Sequence, residues 1–293
     1  MSWLQITFVV NADTIDLLSE CLTQAEALSI TLQDAADQPI YEPELNTTPV
    51  WQQTNVVALF EDSANVQEIY EHVKIWLGSL PTYRIETITD QAWERAWMDN
   101  YHPMRFGEHL WICPSGYEPP EPEAINILFD PGLAFGTGTH PTTALCLAWL
   151  AQNAEQLQGK TLIDYGCGSG ILAIAAVKLG AKKVWAVDND PQALLATQDN
   201  AQKNQVQTCI ETCLPYELPV IIVDGLLANI LANPLVELAD TLCQLVKPSG
   251  FLVLSGILEE QADLISTAYT PCLKELDITQ QEQWLRVVGT KST

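Results

Sequence analysis

Residues 161–170 read Thr161-Leu-Ile-Asp-Tyr-Gly-Cys-Gly-Ser-Gly170, a short apolar run that ends in an acid and passes directly into three glycines at alternate positions. Glycines between a strand and a helix let the backbone turn tightly, and a ligand can lie against them without meeting a Cβ. A second apolar run, 184–187, ends in Asp188, about twenty residues beyond the glycines, where a nucleotide ribose presents its hydroxyls. The spacing also selects the nucleoside. A dinucleotide fingerprint needs its third glycine where the bulky Ile171 stands, and Asp164 would repel a pyrophosphate. Acid, Gly-x-Gly-x-Gly and a second acid suit S-adenosylmethionine, which carries an ammonium at one end and an unphosphorylated ribose at the other.

The elements that must position these residues are legible from periodicity. From residue 161 onward strands alternate with helices. Strands are expected at 161–164, 184–188, 209–213, 220–228 and 251–255, and helices at 171–179, 192–204, 234–246 and 260–269. A closing hairpin follows at 274–279 and 284–289. This is a doubly wound α/β sheet, with its ligand at the carboxyl ends of the strands. Ahead of it, residues 1–89 read β-α-β-β-α-β, the order of a ferredoxin-like α+β sandwich, interrupted by a Pro/Glu-rich loop at 39–49. Residues 90–106 read as a linker helix with Trp93 and Trp97 on one face, and 107–293 as the larger domain. Two strands, 109–113 and 125–129, precede a Gly/Thr-rich loop at 130–143. That loop lacks a Gly-Lys-Ser/Thr ending and is read as a flap whose Thr143 reaches the ligand.

Composition narrows the classes of function. At 293 residues the chain can hold two domains, and a hydrophobic fraction of 47% suffices for ordinary cores. A net charge of −24, with no basic run longer than Lys182-Lys183, argues against direct nucleic-acid binding. It would steer a basic partner toward the protein. No apolar stretch approaches a membrane span, and the first residues show no secretory pattern. The eight cysteines have no zinc spacing, Cys209 and Cys213 included; reduced thiols in a cytoplasmic protein, and no metal site, are expected.

The glycine-and-acid pattern resembles the class I S-adenosylmethionine-dependent methyltransferases, so the sheet is expected to be of their Rossmann-like type. A narrower resemblance rests on Trp93-Glu-Arg-Ala-Trp97, His102-Pro-Met-Arg-Phe106, the 130–143 loop, Gly166-Cys-Gly-Ser-Gly-Ile-Leu172 and Ala228-Asn-Ile-Leu-Ala232. Together these are similar to the bacterial methyltransferases of large-subunit ribosomal protein L11, and the resemblance spans nearly the whole chain. It implies that an N-terminal domain recognises the substrate while the C-terminal domain methylates lysine side chains and the N-terminal amine. It implies cofactor contacts at Thr143, Gly166, Asp188 and Asn229, and a basic protein partner for the acidic surface. Asn229 is the expected catalytic residue, its side-chain oxygen orienting the target amine. His140 is a candidate proton acceptor with a structural role in the flap as the equal alternative, and it is not counted as catalytic. Many amino-group methyltransferases carry Asn-Pro-Pro-Tyr at the fourth strand. This chain has Asn229-Ile-Leu-Ala232, which leaves the aromatic wall unassigned. A class I enzyme with another protein or small-molecule substrate, or a non-catalytic sensor of the cofactor, would share the same binding residues.

Overall fold

The computed structural model describes residues 2–36, 38, 40, 49–89, 102–130 and 140–293. The chain divides into two compact units, Met1–Ala96 and Trp97–Thr293. The linker positions 90–101, with Trp93 and Trp97, most of the 39–49 loop, and flap positions 131–139 lie outside the described residues.

In the first unit, strands β1 (Ser2–Asn11), β2 (Ser29–Asp34), β3 (Gln53–Glu61) and β4 (Thr82–Thr89) form one antiparallel sheet in the order β2-β3-β1-β4. Alternation decides the faces. Leu4, Ile6 and Phe8 of β1 and Val56, Ala58 and Phe60 of β3 turn inward onto α1 (Ile15–Gln24) and α2 (Val66–Leu77). The opposite set, with Gln5 paired to Glu86 and Thr7 to Arg84, forms the other face of the sheet. Asn65 caps α2 by accepting from the Gln67 N–H, and Gly78 ends it in the left-handed region at φ +76°. The βαββαβ order and pairing are those of a ferredoxin-like sandwich.

The second unit begins with a small sheet, β5 (Met104–Phe106), β6 (Leu110–Cys113) and β7 (Ile125–Leu128). The expected linker helix through 106 is corrected here: Met104 pairs with Ile112 and Phe106 with Leu110, because the Gly107 turn folds the chain back as a hairpin. Helices α3 (Pro141–Gln152) and α4 (Ala154–Leu157) then lead to the main sheet. Its strands are β8 (Thr161–Tyr165), β9 (Lys183–Val187), β10 (Ile210–Cys213), β11 (Val223–Asn229), β12 (Val246–Leu258), β13 (Leu273–Gln281) and β14 (Trp284–Lys291). The helices between them are α5 (Ile171–Lys178), α6 (Pro191–Lys203), α7 (Ala232–Glu237), α8 (Ala239–Leu245) and α9 (Ala262–Tyr269).

The order β10-β9-β8-β11-β12-β14-β13 is parallel except for β14, which runs antiparallel to both its neighbours. The chain steps outward from β8 to β10 and then returns to lay β11 beside β8. That reversal opens a crevice at the carboxyl ends of β8 and β11. Central strands buried on both faces explain the unbroken apolar runs that marked them in the sequence.

Three expectations change. The strand placed at 220–228 starts at Val223, which pairs with Val246; Val220 and Ile222 stand ahead of the ladder and are exposed. The helix placed at 234–246 is two short helices, α7 and α8, that meet at Leu238. Of the eight cysteines expected to be reduced, Cys243 and Cys272 form a disulfide, because the last turn of α8 comes to within a 6.3 Å Cα separation of the turn before β13. The other six are free thiols, and no metal-binding cluster occurs among the described residues.

A polar stripe on α6 ties the two sheets of this unit together. Asn204, buried just past the helix, donates to the Leu128 carbonyl and accepts from the Leu128 N–H, both at 2.8 Å. Lys203 pairs with Asp130. Replacing Asn204 by leucine keeps the volume but strips both partners from Leu128, so urea denaturation should show a loss of about 1–3 kcal/mol. An unchanged midpoint would mean that β7 is held by its apolar packing alone.

Candidate active site at the reversal of strand order

Three turns converge at the carboxyl edge of the main sheet. The first follows β8. Gly166 and Gly168 have φ of +76° and +53°, and Gly170 at +81° caps α5, all in the region that glycine enters without strain. The Gly166 and Cys167 N–H groups both donate to the Val187 carbonyl, at 2.7 and 3.1 Å, which bends the loop over the end of β9. A Cβ on Gly166 would lie 2.1 Å from Cγ2 of Ile230. The glycine loop therefore sits directly against the turn that follows β11.

The second turn carries Asp188. Its Oδ2 accepts from the Gly168 N–H at 2.9 Å and its Oδ1 from the Asp190 N–H at 3.0 Å. These bonds hold the carboxylate in one orientation. Each oxygen keeps a further lone pair, so the group can still accept from two vicinal hydroxyls. Asp190 in turn caps α6 by accepting from the Gln192 N–H, with Pro191 in the first helical position.

The third turn carries Asn229, the last residue of β11. Its Nδ2 donates to Thr143 Oγ1 at 3.2 Å. Thr143 is buried in the first turn of α3, whose cap is His140: the imidazole Nδ1 accepts from the Thr142 N–H and lies 2.8 Å from the Thr142 hydroxyl. Thr143 and Asn229, 86 positions apart, are thus in contact, while Gly166 and Asp188 lie on the two neighbouring turns.

Asp164, at the end of β8, is 1% exposed. Its Oδ2 accepts from the Ala173 N–H at 3.0 Å, but Oδ1 has no partner. A buried carboxylate oxygen without a donor costs free energy, and a cationic or N–H ligand would remove that cost. Burial pushes the Asp164 pKa up to about 7; the Ala173 N–H opposes this and the charge of Asp188 adds to it.

Two supporting residues were not singled out from the sequence. Thr197 donates its hydroxyl to the Gly168 carbonyl at 3.0 Å, and Asn200 donates to the Ser169 carbonyl at 2.9 Å. With Asn204, just past the end of α6, they fall at positions three and four apart. A polar stripe at helical spacing on a face expected to be buried was the available signal.

These groups fit S-adenosylmethionine. The unpartnered Oδ1 of Asp164 suits an ammonium, the oriented carboxylate of Asp188 suits a ribose, and the glycine turn admits a ligand against backbone. Comparison with known proteins points the same way. The family model described as "Ribosomal protein L11 methyltransferase (PrmA)" matches residues 2–292. A ribosomal protein L11 methyltransferase of Pseudomonas putida is 48% identical over 293 residues, covering 99% of this chain and all of that protein. One from Azotobacter vinelandii is 49% identical, with the same coverage. Among solved structures, a ribosomal protein L11 methylase from Lactobacillus delbrueckii subsp. bulgaricus superposes with a TM-score of 0.60 at 32% identity. The match covers 66% of this chain and 100% of that one. The chain belongs to the ribosomal protein L11 methyltransferase family, and with it to the S-adenosylmethionine-dependent methyltransferases.

Proposed function

We propose that this enzyme methylates amino groups of ribosomal protein L11, both lysine side chains and the N-terminal amine. In this reading Thr143, Gly166 and Asp188 hold the cofactor and Asn229 contacts both cofactor and target. The observation that carries the reading is the unpartnered, buried Oδ1 of Asp164 beside an oriented Asp188 at the reversal of strand order. The first unit, residues 1–89, is assigned substrate recognition. In support, its helices cover one face of its sheet, and it carries almost no basic residues to oppose a basic partner. The strong negative charge favours encounter with such a partner. No helix among the described residues is long and apolar enough to cross a membrane. With a ribosomal substrate, the enzyme is assigned to the cytoplasm.

When bound, S-adenosylmethionine supplies a methyl group already activated by its sulfonium. The protein's task is then alignment and exclusion of water. Asp164 and Asp188 would hold the two ends of the cofactor, and the Gly166 turn would let it lie against backbone. Asn229 has its Nδ2 committed to Thr143, which fixes the plane of the amide, and the amide oxygen accepts from the target amine and aims its lone pair. A lysine amine, with a reference pKa of about 10.4, must be neutral to attack. Desolvation on entering the crevice favours the neutral form. Ile230, which abuts the glycine turn, stands where other amino-group methyltransferases carry the residues before their aromatic wall.

Purified enzyme incubated with labelled cofactor and ribosomal protein L11 should add mass in steps of one methyl. Asp188→Ala should weaken cofactor binding by about 10–100-fold, since charge-assisted hydrogen bonds to both hydroxyls are lost. Asn229→Ala should reduce kcat while changing cofactor affinity far less. Cofactor binding without transfer to L11 would sink the substrate assignment.

Asp164 predicts a pH dependence. Only its carboxylate form pairs with an ammonium, so cofactor affinity measured by calorimetry should fall as pH drops below about 7. In the ligand-free protein the sign for stability is opposite. The folded state holds this proton more tightly than the unfolded state, so stability should decline as pH rises from about 4 to about 7. Asp164→Asn should flatten both trends; trends identical to wild type would mean that Asp164 neither titrates there nor meets the cofactor.

A further inference from the structure

Strand β14 buries a cation next to the helix that carries Thr143. Arg286 is 5% exposed, and its guanidinium bonds to three residues on two elements. Nη1 donates to the Leu145 carbonyl of α3 at 3.3 Å. Nη2 donates to Asp277 Oδ2 at 3.1 Å and to Thr279 Oγ1 at 2.6 Å, both on β13. Two residues earlier on β14, Trp284 meets His140, the cap of α3, edge to face with ring centroids 4.9 Å apart. The first turns of α3 are therefore gripped by β14 at His140 and at Leu145. Thr143 lies between those two grips, and it is the acceptor for Asn229.

Stability alone accounts poorly for a charge at this place. Taking a guanidinium out of water is costly, and an apolar residue of similar length would fill the space more cheaply. Its ionic partner Asp277 is 67% exposed, so that pair returns little. Nε has no partner at all. What the guanidinium supplies is geometry, because its planar fork bonds one helix and one strand at once with fixed angles, which lysine cannot do.

We infer that Arg286 is a positioning residue for methyl transfer: by fixing α3 against β13 and β14 it places the Thr143 hydroxyl where that hydroxyl orients the Asn229 amide. The inference rests on the role proposed above for Asn229 and names the device that holds it in place. Arg286 touches neither cofactor nor target in this account; it acts through Leu145, Thr143 and Asn229 in that order.

A double-mutant cycle between Arg286→Met and Thr143→Val, on the full-length protein with L11 as substrate, tests it. Arg286→Met should lower kcat about tenfold while it weakens cofactor binding no more than Thr143→Val does and leaves the melting temperature near that of wild type. In the Thr143→Val background the same change should cost almost nothing, because its effect passes through Thr143. Equal losses in both backgrounds, or a lowered melting temperature with kcat intact, would overturn the inference. Asp277→Asn is the second variant should Arg286→Met be insoluble. It removes one anchor of the fork from a largely exposed position, and its smaller kcat loss should also vanish with Thr143→Val. If Thr143→Val and Asn229→Ala each turn over at the wild-type rate, the role of Asn229 itself has failed, which the single variants reveal before the cycle is read.

Discussion

At the edge where β8 and β11 lie side by side, two polypeptide turns approach so closely that there is no room for an ordinary side chain between them. A Cβ on Gly166 would overlap Ile230, and one on Gly256 would lie 2.2 Å from the Ile230 carbonyl oxygen. Gly256 sits at φ +86°, where the register of β12 against β14 shifts. Ile230, just past β11, is thus wedged between Gly166 in the turn after β8 and Gly256 on β12, and Asn229 precedes it by one residue. The approach brings the glycine turn after β8 against the turn that carries Asn229. An added methyl at Gly166 would displace Ile230, so the glycine serves the protein's own packing.

The charges near this crevice follow from the same closeness. Asp164 and Asp188 lie at the ends of neighbouring strands, and the charge of Asp188 adds to burial in raising the cost of ionising Asp164. Asp188 accepts from two backbone N–H groups, whereas Asp164 has one donor and an oxygen without any. The two acids are therefore unequal before anything binds. Asp188 is oriented and half-buried, suited to neutral hydroxyls; Asp164 is sealed in and suited to a positive charge.

Support for the site comes from behind it as well. Thr197 and Asn200 of α6 hold the glycine loop by its carbonyls, and Asn204 holds β7, the strand that leads to residue 130. On the other side Arg286 and Trp284 of β14 hold α3. These polar contacts are buried, so each must be satisfied in place, and that requirement makes the surrounding elements rigid.

How much of this was readable in advance depended on how local each signal was. The β8 strand, its glycines and Asp188 were legible because a tight turn and the strand after it are adjacent in the chain, and their residue types are dictated by backbone geometry. The βαββαβ order of the first unit was legible for the same reason, through alternation and helical spacing. Residues 104–106 were misread as helix, and 220–222 as strand, because short apolar runs carry no period of their own. Their pairing, or lack of it, depends on strands elsewhere. The disulfide between Cys243 and Cys272, 29 residues apart, left no mark in cysteine spacing either. By itself the sequence determined the strand–glycine–acid unit, the alternation of the doubly wound sheet, the charge and, by resemblance, the family. Tertiary structure decided that Thr143 meets Asn229, that Asp164 is left with one unpartnered oxygen, and that Arg286 reaches α3 from 141 residues away. Those facts turn on which elements a buried polar group faces, a relation that exists only after the sheet has closed around it.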